Sequence, residues 1–168
     1  MNKIAKVMKN LIISIVLILL VGCTYSVYSS GMPHLKTISL VEFENQTDQY
    51  ELEVSLIETL SENFMRDGRL RLVDLEPDCR LEGKILDYSD KLATYGSTGI
   101  DEYEVRILYA VTFTDLVENK EIYHTNSLVL TKIYSNNETS EINTEEEAIK
   151  EIEKDLFDRI MRESLEDW

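Results

Sequence analysis

Two cysteines, two histidines, two prolines, six glycines and one tryptophan are spread over 168 residues, and each scarcity closes off a class of protein. Two cysteines cannot build a disulfide framework. His34 and His124 lie ninety residues apart, and neither has a Cys, a His or an acid at metal-ligand spacing in the sequence. No metal ligand and no cofactor is expected. Glycine is too sparse for a phosphate-cradling loop, and neither Gly-x-Ser-x-Gly nor His-Glu-x-x-His occurs. The nearest approach, Tyr95-Gly96-Ser97-Thr98-Gly99, does not join a strand to a helix start and reads as an ordinary loop. Carboxylates lie close together often, as any chain with 32 of them must show, and solvated helix faces account for them. No catalytic residue is assigned, and the chain is read as a non-enzyme. Basic residues are short as well: 17 face 32 acids, for a net charge of −15. Such a field repels nucleic acid and anionic headgroups at long range, so phosphate binding is confined to local basic spots.

Long apolar runs are also missing. The longest, residues 11–21, is broken only by Ser14 and is about half the roughly 20 residues a membrane-spanning helix needs. Lys3, Lys6 and Lys9 precede it with no acid among them, which is the layout of a secretory signal peptide. The run closes in Leu20-Val21-Gly22-Cys23, which resembles the bacterial lipobox. That resemblance implies cleavage before Cys23 and acylation of its sulfur and new amino group, giving several chains where two suffice for stable anchoring. The competing reading, an ordinary signal peptide followed by a Cys23–Cys79 disulfide, is weaker because leader length, Gly22 and the cysteine all agree. Thr24 is not the aspartate that retains many Gram-negative lipoproteins at the inner membrane, which points to the outer one. The expected organisation is a signal peptide over 1–22, a lipidated tether over 23–35 and one periplasmic domain over 36–168. Without the three leader lysines, 14 basic residues face 32 acids, a mature net charge of −18.

Residues 36–43 carry a strand pattern with Ile38 and Leu40 on one face, and 44–48 read as a turn. Leu52, Leu56, Leu60 and Phe64 then recur at four-residue steps, an amphipathic helix over 50–66 that Asp67-Gly68 ends. A strand–helix–strand order with so long a connection predicts a parallel crossover into a short strand at 70–73. A strand over 79–88 and a loop over 89–101 come next. Tyr103, Val105, Ile107, Tyr109, Val111 and Phe113 keep a strict period of two, and a turn at 117–120 leads to a partner strand over 121–134. Thr144 with Glu147 forms a capping-box pattern ahead of a helix whose inner stripe is Ile149, Ile152, Leu156, Ile160 and Met161. These elements predict an α+β fold: a two-layer sandwich of an approximately four-stranded mixed sheet with two helices packed on one face. The other face of the hairpin, with its tyrosines and threonines, is expected to be less covered.

Several segments together resemble the lipopolysaccharide-assembly lipoprotein family (LptE-related). They are Val41-Glu42-Phe43-Glu44-Asn45-Gln46-Thr47, residues 60–73 from Leu60-Ser61-Glu62-Asn63-Phe64 onward, Leu81-Glu82-Gly83-Lys84-Ile85, Val111-Thr112-Phe113-Thr114-Asp115-Leu116, and a C-terminal helix finishing at Trp168. The resemblance implies an outer-membrane, periplasm-facing lipoprotein. Its partner would be a large β-barrel translocon that it plugs and helps assemble, supporting transport of lipopolysaccharide to the surface. A wide barrel leaves an aqueous channel unless something fills it. Lipopolysaccharide itself is the further ligand implied, and Lys84, Lys91, Arg106 and Lys132 are the cations available for its phosphates, although no family binding residue maps onto them.

Two other readings compete. A periplasmic regulatory lipoprotein that activates an envelope enzyme such as a cell-wall synthase shares the pattern of residues 41–83. A site for a small hydrophobic ligand among Tyr103, Tyr109, Tyr123 and Tyr134 is the third, and such tyrosines are more often core or interface.

Overall fold

The computed structural model describes residues 32–94, 102–137 and 140–166. Cys23, the Tyr95–Gly99 segment and Trp168 lie outside them. The elements run β1 Thr37–Leu40, β2 Glu44–Asn45, α1 Leu52–Asp67, β3 Arg71–Leu72, β4 Cys79–Thr94, β5 Glu102–Asp115, β6 Lys120–Ser135 and α2 Glu145–Met161, which runs on into a π-helical turn at Arg162–Glu166.

The sheet has six strands in the order β3-β1-β4-β5-β6, with β2 alongside β4. The fold class is the expected α+β, with one sheet and two helices. The count exceeds four because two short strands join it. Thr37 and Ile38 pair in parallel with Arg71 and Leu72, so the crossover through α1 is parallel as the spacing predicted. β1 also runs parallel to β4, whereas β4–β5 and β5–β6 are long antiparallel ladders.

Two local expectations change. Glu44 and Asn45, read as a turn, pair with Lys84 and Ile85 as β2. Residues 89–94, read as loop, continue β4 as far as Thr94 opposite Glu102. Ser89, Asp90 and Lys91 have little intrinsic strand preference, but a ladder to β5 satisfies their backbone groups.

One face of the sheet is covered. Val105, Ile107, Tyr109, Val111 and Phe113 on β5 are buried with Leu52, Leu56, Leu60 and Phe64 of α1 and Ile152, Leu156 and Ile160 of α2. Phe64 meets Phe157 edge-on at 4.9 Å. Each helix ends where its sequence dictates. Gly68, at φ +73°, takes the left-handed turn and its N–H donates to Phe64 O at 3.1 Å. At the start of α2, Thr144 Oγ1 accepts from Glu147 N at 3.2 Å, while the Glu147 carboxylate accepts from Asn143 N at 2.9 Å.

The tyrosines sit on this covered side, contrary to the expectation that they mark the bare one. Tyr109 and Tyr134 are buried, and Tyr103 and Tyr123 pack against the core. Their odd-numbered register on β5, and pairing across to β6, forces them inward together with Val105 and Val111. The bare face carries Thr112, Thr114 and Thr131 instead.

Candidate functional site

Because β5 alternates strictly, its even-numbered residues and their ladder partners face away from the helices. Leu108 stands there between Asp87 and Val129, and Glu104 between Lys91 and Ile133. Val129 is 42% exposed and Ile133 53%. Among the described residues no helix packs on this face. Leu86 is the extra residue of a bulge in β4 between Ile85 and Asp87. It joins Val41, Gly83, Lys84, Ala110 and Thr112 in lining an open groove of about 580 Å³. At Gly83 a side chain would collide with the ring of Phe43 and the Ala110 carbonyl oxygen.

The four cations named from the sequence divide between the two faces. Lys84 opposes Ala110, Lys91 opposes Glu104 and Arg106 opposes Ser89, which places all three on the bare face. Lys132 opposes Val105, so it points to the helices and meets Asp155 of α2 at 2.9 Å. Lys84 already holds Glu44 at 2.7 Å, and Arg106 holds Asp87 at 3.0 Å. The four therefore form no single patch, and two of the three bare-face cations are already balanced within the domain.

Three further clusters carry ionisable groups. At the far end of the hairpin, Tyr103 stacks on Tyr134 at 5.3 Å, Tyr134 donates to Asp90 at 2.8 Å, and the Tyr88 hydroxyl donates to Glu145 at the start of α2. Burial and these carboxylates push both phenols further up, so they stay neutral donors.

Between the helices, Glu153 is 1% exposed and accepts from Ser55 Oγ at 3.0 Å and Thr59 Oγ at 2.6 Å. Burial drives its pKa up to about 7, with the two hydroxyls pulling the other way. Sequence reading passed over Glu153 as one acid among many. The signal was its place inside the apolar stripe, between Ile152 and Leu156 and four residues after Ile149.

At the opposite end, the chain enters the domain beneath buried Met32 and Leu35. His34 Nε2 lies 2.6 Å from Asp115 Oδ2, and Asp115 Oδ1 accepts from Val117 N at 2.8 Å and Glu118 N at 2.9 Å. The bond to Asp115 raises the pKa of His34. Burial opposes ionisation of Asp115, yet its two N–H donors and His34 hold its pKa low. Asp78 ties the same segment down by accepting from Lys36 N and Thr37 N, both at 2.9 Å. Cys79 is buried and its Sγ donates to Thr37 O at 3.3 Å. Desolvation pushes that thiol up to about 12, which leaves it an inert core residue.

None of these clusters sets a nucleophile against a base over an enclosed cavity among the described residues. The sequence model of the lipopolysaccharide-assembly family, LptE, matches residues 35–164, from the buried Leu35 into the final turn. The chain belongs to the lipopolysaccharide-assembly family. That places it with envelope assembly proteins rather than with a catalytic family. No curated protein sequence matches the chain. Solved structures resemble this family member in fold. A hypothetical protein from Chlamydia trachomatis aligns at TM-score 0.53 and 12% identity, covering 76% of this chain and 94% of its own. A protein from Xanthomonas campestris aligns at 0.52 and 8%, covering 78% and 89%. The lipoprotein GNA1162 from Neisseria meningitidis aligns at 0.49 and 10%, covering 76% and 99%. At such identities the first two likenesses speak to fold alone. Among the described residues no helix is long and apolar enough to cross a membrane.

Proposed function

We propose that this chain is an outer-membrane lipoprotein, cleaved after residue 22 and held by lipid on Cys23, whose single periplasmic domain over 36–168 fills and helps assemble a large β-barrel translocon that carries lipopolysaccharide to the cell surface. The role is non-enzymatic. The observation that carries this reading is the sheet with one face bare in a chain of the lipopolysaccharide-assembly family: three strands of 14 to 16 residues, helices on one side and an amphipathic surface on the other. Such a surface, with Val129 and Ile133 among threonines and charges, fits a wall that is partly polar, as a barrel lumen is. The acidic domain also suits a basic lumen, since complementary charge favours encounter and register. If lipopolysaccharide phosphates are met directly, Lys84, Lys91 and Arg106 are the cations on that face, and Lys132 is on the wrong side of the sheet.

The test is co-purification. An affinity tag on the C terminus should bring down a large outer-membrane barrel from gently solubilised envelopes, and depletion should lower that barrel's level and make the outer membrane leaky. Envelopes in which no barrel associates, with altered peptidoglycan cross-linking on depletion, would instead identify a regulator of a cell-wall enzyme and overturn the proposal.

A further inference from the structure

His34 belongs to the segment that leads into the domain, whereas Asp115, 81 residues further along, ends β5 and Glu118 lies in the turn to β6. The fold nevertheless brings one ligand atom from each within 4.8 Å of the other two. Zinc binds imidazole nitrogen and carboxylate oxygen alike, and a site with three protein ligands keeps its fourth position open. We propose that His34, Asp115 and Glu118 form a zinc site that staples the base of the N-terminal segment to the β5–β6 turn.

Four observations support it. The separation of His34 Nε2 and Asp115 Oδ2, 2.6 Å, needs to open by less than about 1 Å, because ligands about 2.0–2.2 Å from a tetrahedral zinc lie about 3.3–3.5 Å apart. Glu118 is exposed on the turn and free of the core, so its carboxylate can close the remaining distance. Asp115 is 1% exposed, and its other oxygen is held by the N–H groups of Val117 and Glu118. That support fixes a ligating carboxylate from behind, as outer-shell partners do in metal sites. Finally, the charge is right: two carboxylates balance a divalent cation, and Asp78 adds a third negative charge nearby. The side chain of His34 is 32% exposed, which leaves a path for the ion and room for a water on the open position.

Such a site would fix the direction in which the domain leaves its N-terminal segment, and it is independent of the translocon reading. The experiment uses the full-length processed protein in mild detergent, stripped with a chelator and titrated with zinc against a chromophoric competitor. One zinc per chain should bind saturably and raise the melting temperature with concentration, as any ligand of the folded state does. E118Q should keep its fold and metal-free melting temperature, whereas H34Q, which removes the bond to buried Asp115, should stay folded with a lower metal-free melting temperature. H34Q should weaken zinc binding by more than the ~10–100-fold that losing an outer-shell group costs, and E118Q by a smaller factor. H124Q, which alters the other histidine, should bind zinc unchanged. Absence of saturable zinc uptake, or uptake that H34Q leaves intact, would overturn the site and leave a hydrogen-bonded His34–Asp115 pair.

Discussion

Phe43 lies across Gly83. A Cβ built on Gly83 would stand 2.5 Å from Phe43 Cε1 and 2.4 Å from the carbonyl oxygen of Ala110, closer than any real contact. The ring is 1% exposed and closes the sheet where β1 gives way to β2. G83A should therefore destabilise the domain by about 1–3 kcal/mol through overpacking, read as a lower urea midpoint at unchanged slope. Adding F43L should recover little of this, because the Ala110 carbonyl stays in place. Full recovery would mean that the ring alone sets the limit.

Glu153 makes stability depend on pH. Its pKa is raised to about 7 in the fold, against about 4.3 in an unfolded chain, so between these values the folded state holds a proton that the unfolded state has released. Stability should fall as pH rises through this window, by a total on the order of 3 kcal/mol, and level off above it. Lys150 and the two hydroxyls favour the ionised form, whereas burial and Glu58 oppose it. E153Q should flatten the slope and be the more stable protein at pH 8. Denaturant melts of both proteins from pH 5 to 8 check this, and parallel slopes would contradict it.

The bare face should be separable from the core. V129D and I133D alter side chains that are 42% and 53% exposed, so melting temperatures should move little. Capture of the barrel partner should drop sharply for the double variant. Unimpaired capture would place the contact on the helical side instead.

The lipid anchor is testable without touching the domain. C23S should leave the folded domain in the soluble fraction after cell lysis, unlike the wild type. A C23S protein still recovered with outer-membrane vesicles would mean that something other than acylation holds it there.

T144A removes the hydroxyl that accepts from Glu147 N and should lower stability by about 1 kcal/mol, measured by thermal melting.

Much of the fold was legible because it is written in local periods. The four-residue steps from Leu52 to Phe64, the alternation from Tyr103 to Phe113, and Thr144 with Glu147 each depend on residues only a few places apart. β2 was not legible. Glu44 and Asn45 look like turn residues, and only the parallel pairing with Lys84 and Ile85 makes them a strand. The end of β4 was hidden for the same reason, since Ser89 to Thr94 gain strand geometry from β5 rather than from their own preference. Glu153 was half visible: its position in an apolar stripe could be read, but Ser55 and Thr59, 98 and 94 residues earlier, could not.

By itself the sequence determined the acidic character of the chain, the short apolar run ahead of Gly22-Cys23, the helices and long strands, and enough ordered motifs to resemble the lipopolysaccharide-assembly family. The tertiary structure alone decided which face of the sheet is bare, that Lys132 turns to α2 while Lys91 does not, and that His34 meets Asp115. The physical reason is that a period is set by neighbours along the chain. A side chain's face and partners are set by strand register, and a slip of one residue reverses them.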